Sequence, residues 1–128
     1  MQVFIGGAHS GKTAYVKQLV GEDAEWQVAV APHHTSAHTV VLNNLEAWLV
    51  TQDLQDEDVV VAMLMERIRQ LQQTAQLYII VADVGRGIVP LDPKLRQLRD
   101  VCGRFYQQLF KEATSVTRVW YGLTEKLK

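Results

Sequence analysis

A glycine-rich turn set between a strand pattern and a helix pattern limits this chain's fold more than any other feature. QVFI (2–5) is a short apolar run, GGAHSGKT (6–13) follows it, and AYVKQLV then repeats apolar residues at helical spacing. Gly6, Gly11, Lys12 and Thr13 satisfy G-x-x-x-x-G-K-[ST] in the strand–loop–helix context that gives the pattern its meaning. Glycines let backbone N–H groups turn inward around phosphate oxygens, and the helix N-terminus adds partial positive charge. The pattern predicts a triphosphate cradle built from Gly6, Gly7, Ala8, His9, Ser10, Gly11, Lys12 and Thr13. Lys12 would reach the β- and γ-phosphates of ATP or GTP, and the Thr13 hydroxyl would ligate magnesium. The motif names no reaction, because kinases, nucleotidyltransferases and switch proteins share it.

The remaining chain alternates strands and helices. WQVAVA (26–31), stopped by Pro32, and TVVLN (39–43) read as strands, and NLEAWLVTQDL continues as a helix with Leu45, Trp48 and Leu49 on one face. The segment 56–73 opens acidic and places Val60, Met63, Leu64, Ile68 and Leu71 on a helical stripe. LYIIVA (77–82) is apolar throughout, as a strand covered on both faces must be. Asp92 and Pro93 open another helix as N-cap and first residue, SVTRVWYG is the last long strand, and LTEKLK turns back as a short edge. This order predicts an α/β three-layer sandwich of the P-loop NTPase type. Its sheet is mostly parallel with a short antiparallel C-terminal edge, in one domain over 1–128.

Composition narrows the class. A hydrophobic share of 48% in 128 residues suffices for a core, and a net charge of −1 argues against nucleic acid or membrane partners. The basic residues from Lys94 to Arg118 read as a solvated helix face rather than an anion site. Cys102 is the single cysteine and reads as packing, so a reducing cytoplasm is the expected compartment. No apolar run reaches the roughly 20 residues of a membrane helix, and MQVFIGG lacks the features of a signal peptide. Trp26, Trp48 and Trp120 read as core or as interface anchors.

Three further stretches carry a resemblance. VGRGIVP (84–90) resembles the second loop of the bifunctional adenosylcobinamide kinase / adenosylcobinamide-phosphate guanylyltransferases, which typically reads Asn-Glu-Val-Gly-x-Gly-Ile-Val-Pro. RQLRDVCGRFYQQL (96–109) is similar to that family's next helix, Arg-Asp-x-x-Gly-Arg-x-Asn-Gln, and VWYGLTEKLK to its closing strand and turn. The resemblance covers 1–20 and about 77–128, and 39–50 more weakly. It implies an enzyme of cobalamin biosynthesis that phosphorylates adenosylcobinamide with ATP or GTP. GMP would then pass to that phosphate through a guanylylated histidine. It also implies trimers.

The chain departs from that pattern at several points. Between the second and third strands the family carries a helix with the nucleophilic histidine, and here only PHHTSAH intervenes. His33 or His34, just past a strand's C-terminal end, is either a replacement nucleophile or part of a polar surface loop. His34 and His38 have i,i+4 spacing, but no nearby Cys or carboxylate completes a zinc set. Asn43 stands where the family has aspartate, which weakens magnesium binding. Glu46 either compensates or is an exposed helix residue. Asp83, where the family has glutamate, either polarises the acceptor hydroxyl or caps the turn before Gly85. Gly85, Arg86 and Gly87 form a candidate substrate or phosphate loop. Tyr106 replaces asparagine, while Arg99, Asp100 and Arg104 keep the family's charges and read as substrate contacts or an intrahelical ion-pair network. His9 replaces a frequent arginine and makes binding sensitive to pH near neutrality.

These residues leave three readings. The chain is a kinase of the cobinamide type with guanylyl transfer weakened, a non-catalytic nucleotide-binding paralogue, or a P-loop kinase for another small substrate. Lys12 and Asp83 are the catalytic residues the first reading requires.

Overall fold

The computed structural model describes residues 1–83 and 92–128. The elements are β1 (Gln2–Gly6), α1 (Lys12–Val20), β2 (Glu25–Val28), β3 (Thr39–Asn43), α2 (Leu45–Leu49), α3 (Glu57–Gln72), β4 (Gln76–Ala82), α4 (Pro93–Glu112), β5 (Ser115–Trp120) and β6 (Leu123–Lys126). Among the described residues the strands form one sheet in the order β2-β3-β4-β1-β5-β6. All neighbours are parallel except β5 and β6. The predicted α/β sandwich and its antiparallel edge are therefore present.

Side-chain alternation divides the core into two layers. Val3, Leu42, Leu77, Ile79 and Val81 face the larger cluster, with Leu45 and Leu49 of α2, Leu64 and Ile68 of α3, and Phe105 and Leu109 of α4. Phe4, Val41, Ile80 and Val119 face the other way, against Val16 of α1. Every pair β1 makes with β4 and β5 is in register from Gln2, so Gly6 comes level with Ala82 at the C-terminal edge. That edge is where parallel sheets bind ligands.

Local sequence explains the helix ends. Asp56 accepts from Val59 N at 3.3 Å, and Glu57 and Asp58 add negative charge to the first turn of α3. Asp92 accepts from Lys94 N at 2.8 Å, with Pro93 opening α4. Met65, rather than the expected Met63, is the methionine buried in the α3 stripe. The second strand stops at Val28, short of the predicted 31, because Ala29 turns left-handed at φ 57 while its N–H donates to Asn43 O at 2.9 Å. Residues 29–38 then return to β3 without a helix.

Candidate active site

The loop from Gly7 to Gly11 closes on itself. Ser10 N donates to the Gly7 carbonyl at 3.3 Å, and Lys12 Nζ donates to the same oxygen at 3.0 Å. His9 (φ 60) and Gly11 (φ 87) adopt left-handed conformations, which turn successive amides toward one side. Gly6 is required sterically: a Cβ there would press into the Val119 carbonyl oxygen and Ser10 Oγ. Ser10 is only 6% exposed, and its Oγ is the buried side-chain polar atom among the described residues that lacks a hydrogen-bond partner. An orphaned hydroxyl under such a loop is an available donor for an anion.

On the β3–β4 side, Lys12, Asn43, Glu46 and Ala82 line a cavity of about 210 Å³. Asn43 ends β3, and Asn44 at φ 59 turns the chain sharply into α2. That turn swings Glu46 back over the sheet, where it is 9% exposed, so it is not a solvent-facing helix residue. Its Oε1 accepts from Ala82 N and from the Tyr106 hydroxyl, each at 2.9 Å. Both bonds fall on Oε1, which leaves Oε2 as the oxygen without a hydrogen bond among the described residues. The Tyr106 hydroxyl also lies 2.7 Å from the Ala82 carbonyl. Burial first, and then the neighbouring Glu46 charge, push the Tyr106 phenol far above its ordinary range. It stays protonated and acts as a donor. Burial likewise pushes the Cys102 thiol up to about 12.

Asp83 follows Ala82 at the end of β4, and its N–H donates to the Gly6 carbonyl at 3.1 Å. A carboxylate-bearing residue is thus tied by its backbone to the first glycine of the loop. Gly85, Arg86 and Gly87 lie outside the described residues.

The histidines sit elsewhere. His33 is clamped beside mid-strand Gln27, its N–H donating to Oε1 at 3.1 Å while Gln27 Nε2 donates to its carbonyl at 2.9 Å. His33 and His34 line a cavity of about 420 Å³ with Pro32, Arg67 and Gln70. Arg67 and Gln70 belong to the second half of α3, so this cavity is not the one at Lys12. The left-handed turn at Ala29 folds the connection back along β2, which corrects the expected position past the strand's end. Among the described residues no group of three or more His, Cys, Asp or Glu is arranged to hold a metal. The His34–His38 pair gains no third ligand.

The basic residues of α4 also divide. Arg99 pairs with adjacent Asp100 at 3.2 Å, whereas Arg104 reaches across to Glu57 (2.6 Å) and Asp58 (3.2 Å) of α3. The Arg104 contact is interhelical, not intrahelical. Sequence reasoning missed Tyr106 as the partner of Glu46. A tyrosine in the buried α4 stripe was the available signal, because a buried hydroxyl needs a partner. It missed the turn at Trp120 and Tyr121 as well; with Gly7, Ala8, His9 and Ser10 those two residues line a cavity of about 360 Å³.

A parallel sheet that ends on a glycine loop with a lysine at the start of the next helix defines a P-loop-type α/β protein. The family model for cobinamide kinase / cobinamide phosphate guanyltransferase matches residues 22–127. The chain belongs to that family, whose enzymes use nucleoside triphosphates in cobalamin biosynthesis. The match begins after the phosphate loop, so residues 6–13 stand on their own geometry. Among curated proteins, none matches the chain. Among the described residues no helix is long and apolar enough to cross a membrane.

Proposed function

We propose that this chain transfers the γ-phosphoryl group of ATP or GTP to the hydroxyl of a cobinamide-type acceptor, and that guanylyl transfer is weak or absent. The observation that carries the reading is the cavity shared by Lys12, Asn43 and Glu46 beside Asp83. In the proposed step the acceptor oxygen bonds to Pγ as the bond from Pγ to the β–γ bridging oxygen breaks, and the nucleoside diphosphate leaves. The acceptor proton goes to Asp83, whose backbone already bonds to Gly6. Lys12 Nζ exchanges the Gly7 carbonyl for phosphate oxygens, and the loop amides hold the tail in line.

The oxygen donors fit magnesium, which takes few protein ligands and keeps substrate phosphates and waters. The Thr13 hydroxyl would hold it, with Asn43 Oδ1 and Glu46 Oε2 on the acceptor side. When bound, the ion neutralises charge on the transferred phosphate. Weak guanylyl transfer is supported by the separate cavity of His33 and His34 and by the helix-free connection 29–38.

The test incubates purified protein with labelled ATP or GTP and magnesium, with and without adenosylcobinamide. Label should pass to the acceptor, and Lys12→Ala should abolish the transfer. An acid-labile GMP adduct on the protein would overturn the guanylyl part of the proposal. Nucleotide affinity without transfer would favour a non-catalytic binding module, the reading that Asn43 supports through its missing charge. Transfer to a different acceptor alone would make the chain a kinase for another small substrate.

A further inference from the structure

The geometry points to Tyr121, with Trp120, as the platform on which the nucleobase of the bound nucleotide stacks. This rests on the phosphate loop holding the triphosphate. β5 and β6 are joined by a two-residue turn, since Trp120 pairs directly with Leu123. Tyr121 (φ 49) and Gly122 (φ 75) both take positive φ there, as type I′ turns require. Glycine and asparagine suit that geometry, whereas a bulky aromatic residue is strained there. Packing does not explain the strain, because Tyr121 is 87% exposed and Trp120 is 40% exposed.

The turn is fastened to the phosphate loop. Gly122 N donates to Ser10 O at 3.2 Å, and the backbones approach so closely that a Cβ on Gly11 would meet Gly122 N at 3.4 Å. The two aromatic residues share a cavity of about 360 Å³ with Gly7, Ala8, His9 and Ser10, inside the roughly 300–1,000 Å³ range of small-molecule sites. Ser10, whose buried Oγ lacks a hydrogen-bond partner, is among the residues of that lining.

The placement separates the two ends of the nucleotide. β5 neighbours β1 on the side away from β4 and β3. The acceptor cavity with Lys12, Asn43 and Glu46 lies on the β3–β4 side, so a triphosphate on the loop has its γ end there. The nucleoside end then runs toward β5, on the side of the cavity that Trp120 and Tyr121 line. Stacking accepts any base, so the platform serves ATP and GTP alike.

The test compares binding of GTP, ATP and inorganic tripolyphosphate to wild type, Tyr121→Gly and Lys12→Ala by calorimetry. Tyr121→Gly removes the ring and suits the positive φ, so folding is preserved. Wild type should bind both nucleotides more tightly than tripolyphosphate. In Tyr121→Gly nucleotide affinity should fall roughly 5- to 150-fold, the span that base–aromatic stacking carries, with tripolyphosphate unchanged. Wild-type nucleotide affinity in Tyr121→Gly, or an equal loss for tripolyphosphate, overturns the platform and leaves the loop reading intact. No binding of any of the three to wild type, or full binding to Lys12→Ala, overturns the loop reading and the platform with it.

Discussion

The Tyr106 hydroxyl lies 2.9 Å from Glu46 Oε1, and the two residues join α4 to α2 across the end of β4. The same hydroxyl is 2.7 Å from the Ala82 carbonyl, while Ala82 N donates to Glu46. A carboxylate, a phenol and one peptide group thus close a small ring at the cavity lined by Lys12, Asn43 and Glu46. Removing one member leaves buried polar atoms without partners.

Tyr106→Phe should therefore cost more than an ordinary surface hydrogen bond. Glu46 loses one donor and the Ala82 carbonyl loses its phenol contact, so a loss of about 1–3 kcal/mol is expected. Urea unfolding of the two proteins measures it. Turnover should fall with KM for nucleotide little changed, because the triphosphate cradle is separate from this ring. A variant as stable and as active as wild type would show that the ring carries no strain of function.

Gly6→Ala should destabilise the protein even though alanine is small. The added methyl meets a backbone carbonyl of β5 and the Ser10 side chain, and the carbonyl cannot retreat without breaking the sheet. Overpacking of this kind costs about 1–3 kcal/mol. Thermal unfolding should report a lower Tm, and nucleotide affinity should fall with it. Gly7→Ala is the control for the Tm measurement, since a methyl at Gly7 meets nothing within 4 Å.

Cys102 should be inert in the folded protein. It is buried in α4, and burial with the nearby Glu46 charge lifts its thiol to about 12, so almost no thiolate exists near neutral pH. A thiol reagent at pH 8 should label it slowly in buffer and fast in urea. Fast labelling of the native state would place the sulfur in a different environment.

The Arg69–Glu112 pair between α3 and α4 makes a pH-dependent contribution. Arg69 Nε and Nη2 donate to the two carboxylate oxygens at 2.9 and 2.7 Å. The hydrogen bonds from Arg69 hold the Glu112 carboxyl below its ordinary 4.5. A lowered folded pKa gives stability that is present above 4.5 and lost as pH falls through the folded value. Glu112→Gln should have a slightly lower urea midpoint than wild type at pH 7, since the pair is solvated. The difference should close as pH drops below the carboxylate range. A gap that persists there would assign it to packing instead.

Most of the architecture could be read from local pattern. Continuous apolar LYIIVA could only be a strand covered on both faces, and Asp92–Pro93 marked the start of α4 because cap chemistry is local. Tertiary effects were less visible. The choice for Glu46 between compensating for Asn43 and lying exposed on a helix stayed open because nothing in the sequence shows that Asn44 turns left-handed and tips α2 over the sheet. The histidines were misplaced for a similar reason: Ala29, which seldom takes positive φ, redirects the whole connection. Neither reading of Arg104, substrate contact or intrahelical pair, named α3, because Glu57 and Asp58 are far away in sequence and only the packing of α3 on α4 brings them within reach.

β1 occupies the middle of the sheet, between strands that follow it much later in the chain. Its glycine loop, although written near the beginning, leans on Val119 and Gly122 from the final stretch. The loop therefore reaches its final shape only when a hairpin far along the chain has packed against it, so its geometry is a long-range product of folding rather than a local one.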